Sequence, residues 1–274
     1  MANEPSQFAH AIIASEFQLG EIFCQLLETS DGSFSLRYST DRNEMTEPMH
    51  SSKGAWSETL EIYEPALKGS LDFHESKETW RVASIGLGLG YNEILAAGVA
   101  MASGIEPDKI SIVSFESRPE LMRAFSRYFQ NSEASTKSCF LDKVYADIVR
   151  RTSDLLNLQH QKLQTYIGRL ICHKHLELHE SLSKNALQTL STSIEPCGCV
   201  LFDAFSPSSS PDLWNEELLE TMIGILAGPK CIFASYASRT VLKKMLRRFG
   251  FVLQRRSGFA GKREATFAVR NSEF

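Results

Sequence analysis

Apolar and polar residues alternate along residues 23–39 on either side of Thr29-Ser30-Asp31-Gly32-Ser33, the pattern of two strands joined by a tight turn, so a β-hairpin is expected near the start of the chain. Trp56, Leu60, Tyr63 and Leu67 then recur at helical spacing, with Ser57 and Glu58 near the start as cap and first-turn acid, which predicts one helix over 56–67. From Trp80 the pattern changes. An apolar run at 82–85 stops at a glycine cluster and gives way to a helical stretch over 92–102; a second run at 110–115 ends at Glu116 and is followed by a helix over 119–129. Strand, helix, strand, helix in this order implies parallel strands with helical crossovers. Further on, 146–169 reads as one helix, 175–178 as a short strand and 186–190 as a short helix. A strand at 198–202, a helix at 213–226, a strand at 230–235 and an amphipathic basic helix at 241–249 follow, and strands at 251–255 and 265–269 close the chain as an antiparallel hairpin. The expected fold class is α/β: a doubly wound, Rossmann-like sheet, mostly parallel with an antiparallel C-terminal hairpin. A small N-terminal appendage of β-hairpin and helix occupies 1–78, and the main domain 79–274.

Length agrees with one catalytic domain carrying a modest appendage, since 274 residues are few for two full domains. With 43% hydrophobic and 23% charged residues the composition is that of an ordinary globular chain. No stretch approaches the ~20 apolar residues of a bilayer span, and the N-terminus lacks a basic region followed by an apolar core, so a cytoplasmic protein without membrane contact is expected. Six scattered cysteines suggest reduced thiols. His173, His175 and His179, like Cys197 and Cys199, lack a closing partner at zinc-like spacing, so no metal is expected. The net charge of −4 hides an asymmetry: nine basic residues and no acid lie between Arg239 and Arg263, leaving 20 basic against 33 acidic residues elsewhere. That stripe suits contacts to nucleic-acid phosphates, or is merely a solvated face.

Three constellations carry chemistry. Gly86-Leu87-Gly88-Leu89-Gly90 lies where a strand feeds a helix, so small residues allow close backbone approach and the helix start offers unpaired N–H groups. Its G-x-G-x-G spacing departs from both the dinucleotide fingerprint and the P-loop, and a bare tight turn is the alternative reading. Glu116 stands at the end of the next strand, where open α/β sheets place an acid against ribose hydroxyls; a solvated strand end is the alternative. Leu201-Phe202-Asp203-Ala204-Phe205-Ser206-Pro207, followed by Pro211-Asp212-Leu213-Trp214, sets an acid beside aromatic and proline residues. Asp203 is therefore the leading catalytic candidate, against a local turn or capping role.

Taken together with 84–91, 114–119 and the tail Gly258-Phe259-Ala260-Gly261-Lys262-Arg263-Glu264, these segments resemble in order and spacing the MnmC-like methyltransferases, as does the stretch from Met49-His50-Ser51 to Tyr63. The resemblance spans about 29–269. It implies a class I methyltransferase sheet using S-adenosylmethionine to methylate the amine of 5-aminomethyl-2-thiouridine at the tRNA wobble position. It also implies Gly86, Gly88 and Gly90 against the methionine part of the cofactor, Glu116 against its ribose, and Asp203 at the accepting amine and the cofactor. His50, Phe205, Pro207, Trp214, Lys262 and Arg263 become candidates for holding the acceptor. Two departures stand out: Ser84 replaces the acid that relatives often carry two residues before the first glycine, and His179-Glu180-Ser181 replaces a Gly-Asp near the adenine, making Glu180 or Ser181 a substitute cofactor contact. The flavin-dependent oxidase fused in some relatives has no counterpart up to Phe274, so a separate oxidase is the expected supplier of the aminomethyl substrate. A small-molecule or protein acceptor, or a protein that binds cofactor or RNA without turnover, are the alternatives.

Overall fold

Strand alternation in the first forty residues builds an antiparallel sheet in the order β1 (Ile12–Leu19), β2 (Ile22–Glu28) and β3 (Phe34–Ser39). The computed structural model describes residues 11–41, 44–75, 78–130, 139–180, 182–261 and 264–271. The expected hairpin is β2–β3; β1 is an addition to it. Its residues are mostly exposed, with Ile12 and Ile13 turned outward, so no buried face disciplines its sequence into clean alternation.

The expected single helix at 56–67 is two helices, α1 (Ala55–Ile62) and α2 (Glu64–Leu71), with Tyr63 at the break. Pro65 in the first turn of α2 explains it: proline lacks the N–H that a continuous helix would need, yet suits a helix start. The long helix expected at 146–169 is likewise two, α5 (Phe140–Leu156) and α6 (His160–Cys172). Asn157 ends the first of them in the left-handed conformation, φ 55°, which asparagine tolerates better than most residues.

The main sheet contains β4 (Trp80–Ile85), β5 (Ile110–Phe115), β6 (Leu176–His179), β7 (Cys197–Phe202), β8 (Ala227–Ser235), β9 (Val252–Arg256) and β10 (Ala265–Asn271) in the order β6-β5-β4-β7-β8-β10-β9. β6, β5, β4, β7 and β8 pair in parallel, whereas β10 runs antiparallel to both β8 and β9. This is the doubly wound sheet with a C-terminal hairpin that the alternation of elements predicts. Helices α3 (Tyr91–Ala102), α4 (Pro119–Gln130), α7 (Lys184–Leu190), α8 (Glu216–Leu226) and α9 (Thr240–Arg248) complete the crossovers. One apolar cluster joins α3, α4, α5 and α6 to the three-stranded sheet and to α1 and α2; a second lies under α8 and α9 on the other face. Burying apolar surface on both faces is what leaves β4, β5 and β7 almost wholly inaccessible.

The order of strands reverses between β4 and β7: from β4 the chain proceeds through β5 to β6 on one side, then from β7 through β8 on the other. The crevice at the carboxyl ends of strands flanking such a switch is where open α/β sheets bind ligands.

Candidate active site

Three sequence-distant segments meet in that crevice. Gly86 leaves β4, Glu116 leaves β5 and Asp203 leaves β7, and backbone hydrogen bonds lock them in register: Gly86 N and Leu87 N both donate to Phe115 O, at 2.9 and 3.2 Å, and Asp203 N donates to Ile85 O at 2.9 Å. Gly86 has φ 99°, and a Cβ there would come within 2.6 Å of the Asp203 carbonyl oxygen, so the position admits only glycine. Gly90, with φ 77°, caps α3; a Cβ there would strike the Phe125 ring at 2.4 Å.

A cavity opens above these segments, bordered by Met49, His50, Gly86, Gly88, Glu116 and Asp203 among others. The Glu116 carboxylate accepts the Gly88 N–H at 3.0 Å and the Arg118 N–H at 2.9 Å. Burial raises its pKa against the pull of these donors.

Asp203 is held at both oxygens. Tyr63 donates its hydroxyl to Oδ1 at 2.7 Å and Asn92 donates from Nδ2 to Oδ2 at 3.0 Å, while the Tyr236 N–H reaches the Tyr63 oxygen at 3.4 Å. Burial pushes the Asp203 pKa up, against the opposing fields and hydrogen bonds of His50, Tyr63 and Asn92. His50 lies 8% exposed beside it, Nδ1 3.6 Å from Glu58 Oε2, with its ring edge-on to Tyr91 at 5.0 Å. Tyr91 is itself clipped to the N-terminal sheet, donating to Phe34 O at 2.8 Å and accepting from Phe34 N at 3.1 Å. The loop after Asp203 is tied down by Glu47, which accepts the Ser206 N–H at 2.6 Å, and by Tyr236, whose hydroxyl donates to Ala204 O at 2.9 Å. At one side the Arg118 guanidinium lies 4.9 Å from the Tyr38 ring centre, and Phe205 packs 6.3 Å from the same ring.

The crevice thus unites Gly86, Gly88, Glu116, Asp203, His50 and Phe205. Gly90 supports the loop from behind. Two acceptor candidates sit elsewhere. Trp214 is 7% exposed in the second apolar cluster, edge-on to Phe202 at 5.2 Å, and donates Nε1 to Phe205 O at 2.8 Å, so it props up the loop instead of facing a ligand. Pro207 is half-buried in the same loop and does not border the cavity. Ser181, Lys262 and Arg263 lie outside the described residues.

Of the basic stripe, Lys243 pairs with Glu264 at 2.6 Å, Lys244 with Glu216 at 3.7 Å and Arg248 with Glu220 at 3.0 Å, while Arg256 lies over the Phe267 ring at 4.2 Å. Part of the positive charge is thus answered by acids of the same chain that come from α8 and the final turn. Among the described residues no three His, Cys, Asp or Glu side chains converge as a metal-binding group, and no helix is long and apolar enough to cross a membrane.

Tyr63, Glu58, Asn92 and Tyr236 escaped the sequence reading. Asn92 had a signal, following directly on the glycine loop. Tyr63 had a weaker one in the adjoining Glu64-Pro65, which breaks the helix at that residue. Nothing local marks Glu58 or Tyr236 as neighbours of Asp203.

A family described as S-adenosyl-L-methionine-dependent methyltransferase matches residues 156–271. The tRNA 5-methylaminomethyl-2-thiouridine biosynthesis bifunctional protein MnmC of Burkholderia multivorans is 25% identical over 218 residues, covering 78% of this chain and 31% of that protein. Its counterpart in Paraburkholderia phymatum is 28% identical over 193 residues, covering 69% of this chain and 27% of that protein. The chain therefore spans about a third or less of the length of these relatives. MnmC2 of Aquifex aeolicus has the same fold, with a TM-score of 0.56 and 23% identity over 91% of this chain and 70% of that one. Over residues 156–271 the chain thus resembles S-adenosylmethionine-dependent methyltransferases, and it is similar in sequence to part of the MnmC proteins.

Proposed function

We propose that the protein N-methylates the 5-aminomethyl group of the wobble uridine, or 2-thiouridine, of a tRNA, with Asp203 at the accepting amine. The observation that carries this reading is the twofold-anchored carboxylate of Asp203 at the switch point, facing a cavity shared with a glycine loop and Glu116. The names of the curated relatives support the acceptor. Such a reaction belongs in the cytoplasm.

The residues fit S-adenosylmethionine. Gly86 leaves bare backbone where any Cβ would collide, which suits the approach of the methionine part, and Glu116 offers carboxylate oxygens to ribose hydroxyls. Phe115 and Leu182 also border the cavity, apolar surfaces suited to the flat adenine. Bound there, the cofactor supplies an electrophilic methyl group on a sulfonium. The chain's own task is alignment, because an in-line displacement depends chiefly on holding the two partners in line. Tyr63 and Asn92 fix the Asp203 carboxylate so that it can accept an N–H of the amine and aim its lone pair. Phe205 borders the cavity and offers an aromatic surface suited to a nucleobase. The described part of the 1–78 appendage would wall the pocket of the 79–274 domain with Met49 and His50, while Tyr63 holds Asp203 from behind.

The test is methyl transfer from labelled S-adenosylmethionine to tRNA carrying 5-aminomethyl-2-thiouridine, with Asp203→Asn beside the wild type. Label in the wobble nucleoside that falls at least a hundredfold in the variant is the expected result. Binding of S-adenosylhomocysteine without transfer to this tRNA would overturn the acceptor. The pairing of basic residues with acids of the same chain favours a second reading in that event, a small-molecule or protein amine at the same site.

A further inference from the structure

We propose that His50 is the proton acceptor of the transfer reaction and that Glu58 is its positioning residue, a carboxylate–imidazole dyad that the N-terminal segment lays against the pocket. This rests on the amine-acceptor reading above and adds the fate of the proton. Methylation of a primary amine leaves a proton to be removed: the nitrogen lone pair forms the bond to the methyl carbon, the bond from that carbon to sulfur breaks with its electrons staying on sulfur, and one N–H proton must go to a base. Asp203 is less suited to the task than an imidazole, because Tyr63 and Asn92 already donate to both of its oxygens and a carboxylate is ordinarily a weaker base than an imidazole.

His50 has the geometry. Its imidazole borders the same cavity, its Nδ1 faces Glu58 Oε2 at 3.6 Å, and Nε2 is thereby the ring nitrogen left for a ligand. Both side chains are buried, His50 at 8% and Glu58 at 4% exposed, a placement that unpaired ionisable groups rarely occupy. Neither is loose: Glu58 Oε2 also accepts the Ser51 N–H at 2.9 Å, and the His50 backbone N–H donates to Ser35 Oγ at 2.9 Å. A base oriented by a buried carboxylate is the arrangement that general-base catalysis needs. The groups that act on the imidazole come from four elements: Glu58 of α1, Asp31 of the β2–β3 turn, Asp203 after β7 and the Tyr91 ring of α3. Burial disfavours its charged form, but the adjacent Glu58 carboxylate and the fields of Asp203 and Asp31 outweigh that and raise its pKa above the ordinary imidazole value. The free base should therefore form at higher pH than that of an ordinary imidazole.

The test uses His50→Gln and Glu58→Gln in the full chain. Single-turnover transfer to tRNA bearing 5-aminomethyl-2-thiouridine is followed against pH, and the His50 ring nitrogens are titrated by NMR with S-adenosylhomocysteine bound. The wild-type rate should climb with pH through the NMR midpoint. His50→Gln should lose that limb and about 10²–10⁴-fold in rate, the usual share of general acid–base catalysis, while binding S-adenosylhomocysteine as the wild type does. Glu58→Gln should move the rate limb and the NMR midpoint together to lower pH. A His50→Gln enzyme within threefold of wild type and with the same pH limb would overturn the proposal. If the wild type transfers nothing to this tRNA, the acceptor reading has failed; the NMR arm then decides alone, and an imidazole midpoint unmoved by Glu58→Gln overturns the dyad.

Discussion

Replacing Glu93 by glutamine should stabilise the protein progressively as pH rises from 5 to 8. Glu93 is fully buried on the first turns of α3, its Oε1 accepting the Ser114 hydroxyl at 2.6 Å, above strands β4 and β5, where Ser84 and Ser114 pair as neighbours. Burial is the main force on its carboxyl; the hydroxyls of Ser114 and Ser84 offset it only partly, and the pKa is pushed from 4.5 up to about 7. The folded state thus prefers the neutral acid, so the stability it contributes is complete below pH ~4.5 and is lost as pH climbs through about 7. The gap of about 2.5 pKa units at roughly 1.4 kcal/mol each corresponds to about 3 kcal/mol at pH 8, against about 1 kcal/mol at pH 5. Glutamine keeps the shape and an accepting oxygen for Ser114 but never ionises. At ~2–4 °C per kcal/mol for a chain of this size, the variant should melt roughly 6–12 °C above wild type at pH 8 and only a few degrees above it at pH 5. Calorimetric melting across that range reads the difference directly. A gap that does not change with pH would refute the reasoning, since it would make the effect one of packing and not of charge.

Gly86→Ala should abolish binding of S-adenosylhomocysteine by titration calorimetry and lower the melting temperature, because the new Cβ meets the Asp203 carbonyl at 2.6 Å in a backbone conformation hostile to side chains. Glu116→Gln should weaken S-adenosylhomocysteine about 10–100-fold, the worth of a charged hydrogen bond at ~1.5–3 kcal/mol, with little change in melting. Trp214→Phe keeps the ring in the core but loses the 2.8 Å bond to Phe205 O; denaturant unfolding should report about 1 kcal/mol lost, and acceptor KM should rise while cofactor affinity holds.

What the sequence determined by itself lies in local pattern. The apolar runs of β4, β5 and β7, each ending at its glycine or acid, announced a parallel sheet and the three strand ends that matter, because fully buried strands and tight βα turns admit few residue types. Proline and asparagine punctuation was present too, at Pro65 and Asn157, yet periodicity on both sides overrode it, and two helices read as one in each case. Only tertiary structure decided the rest. Whether an aromatic lines a pocket or props it from behind depends on which way its strand end turns: Trp214 and Phe205, nine residues apart, fall on opposite sides of that question. Tyr63 reaches Asp203 across 140 residues of chain, and Glu93 of α3 meets the Ser114 hydroxyl of β5. Such contacts leave no local signature, because a hydrogen bond fixes the positions of two groups in space and places no constraint on the residues between them.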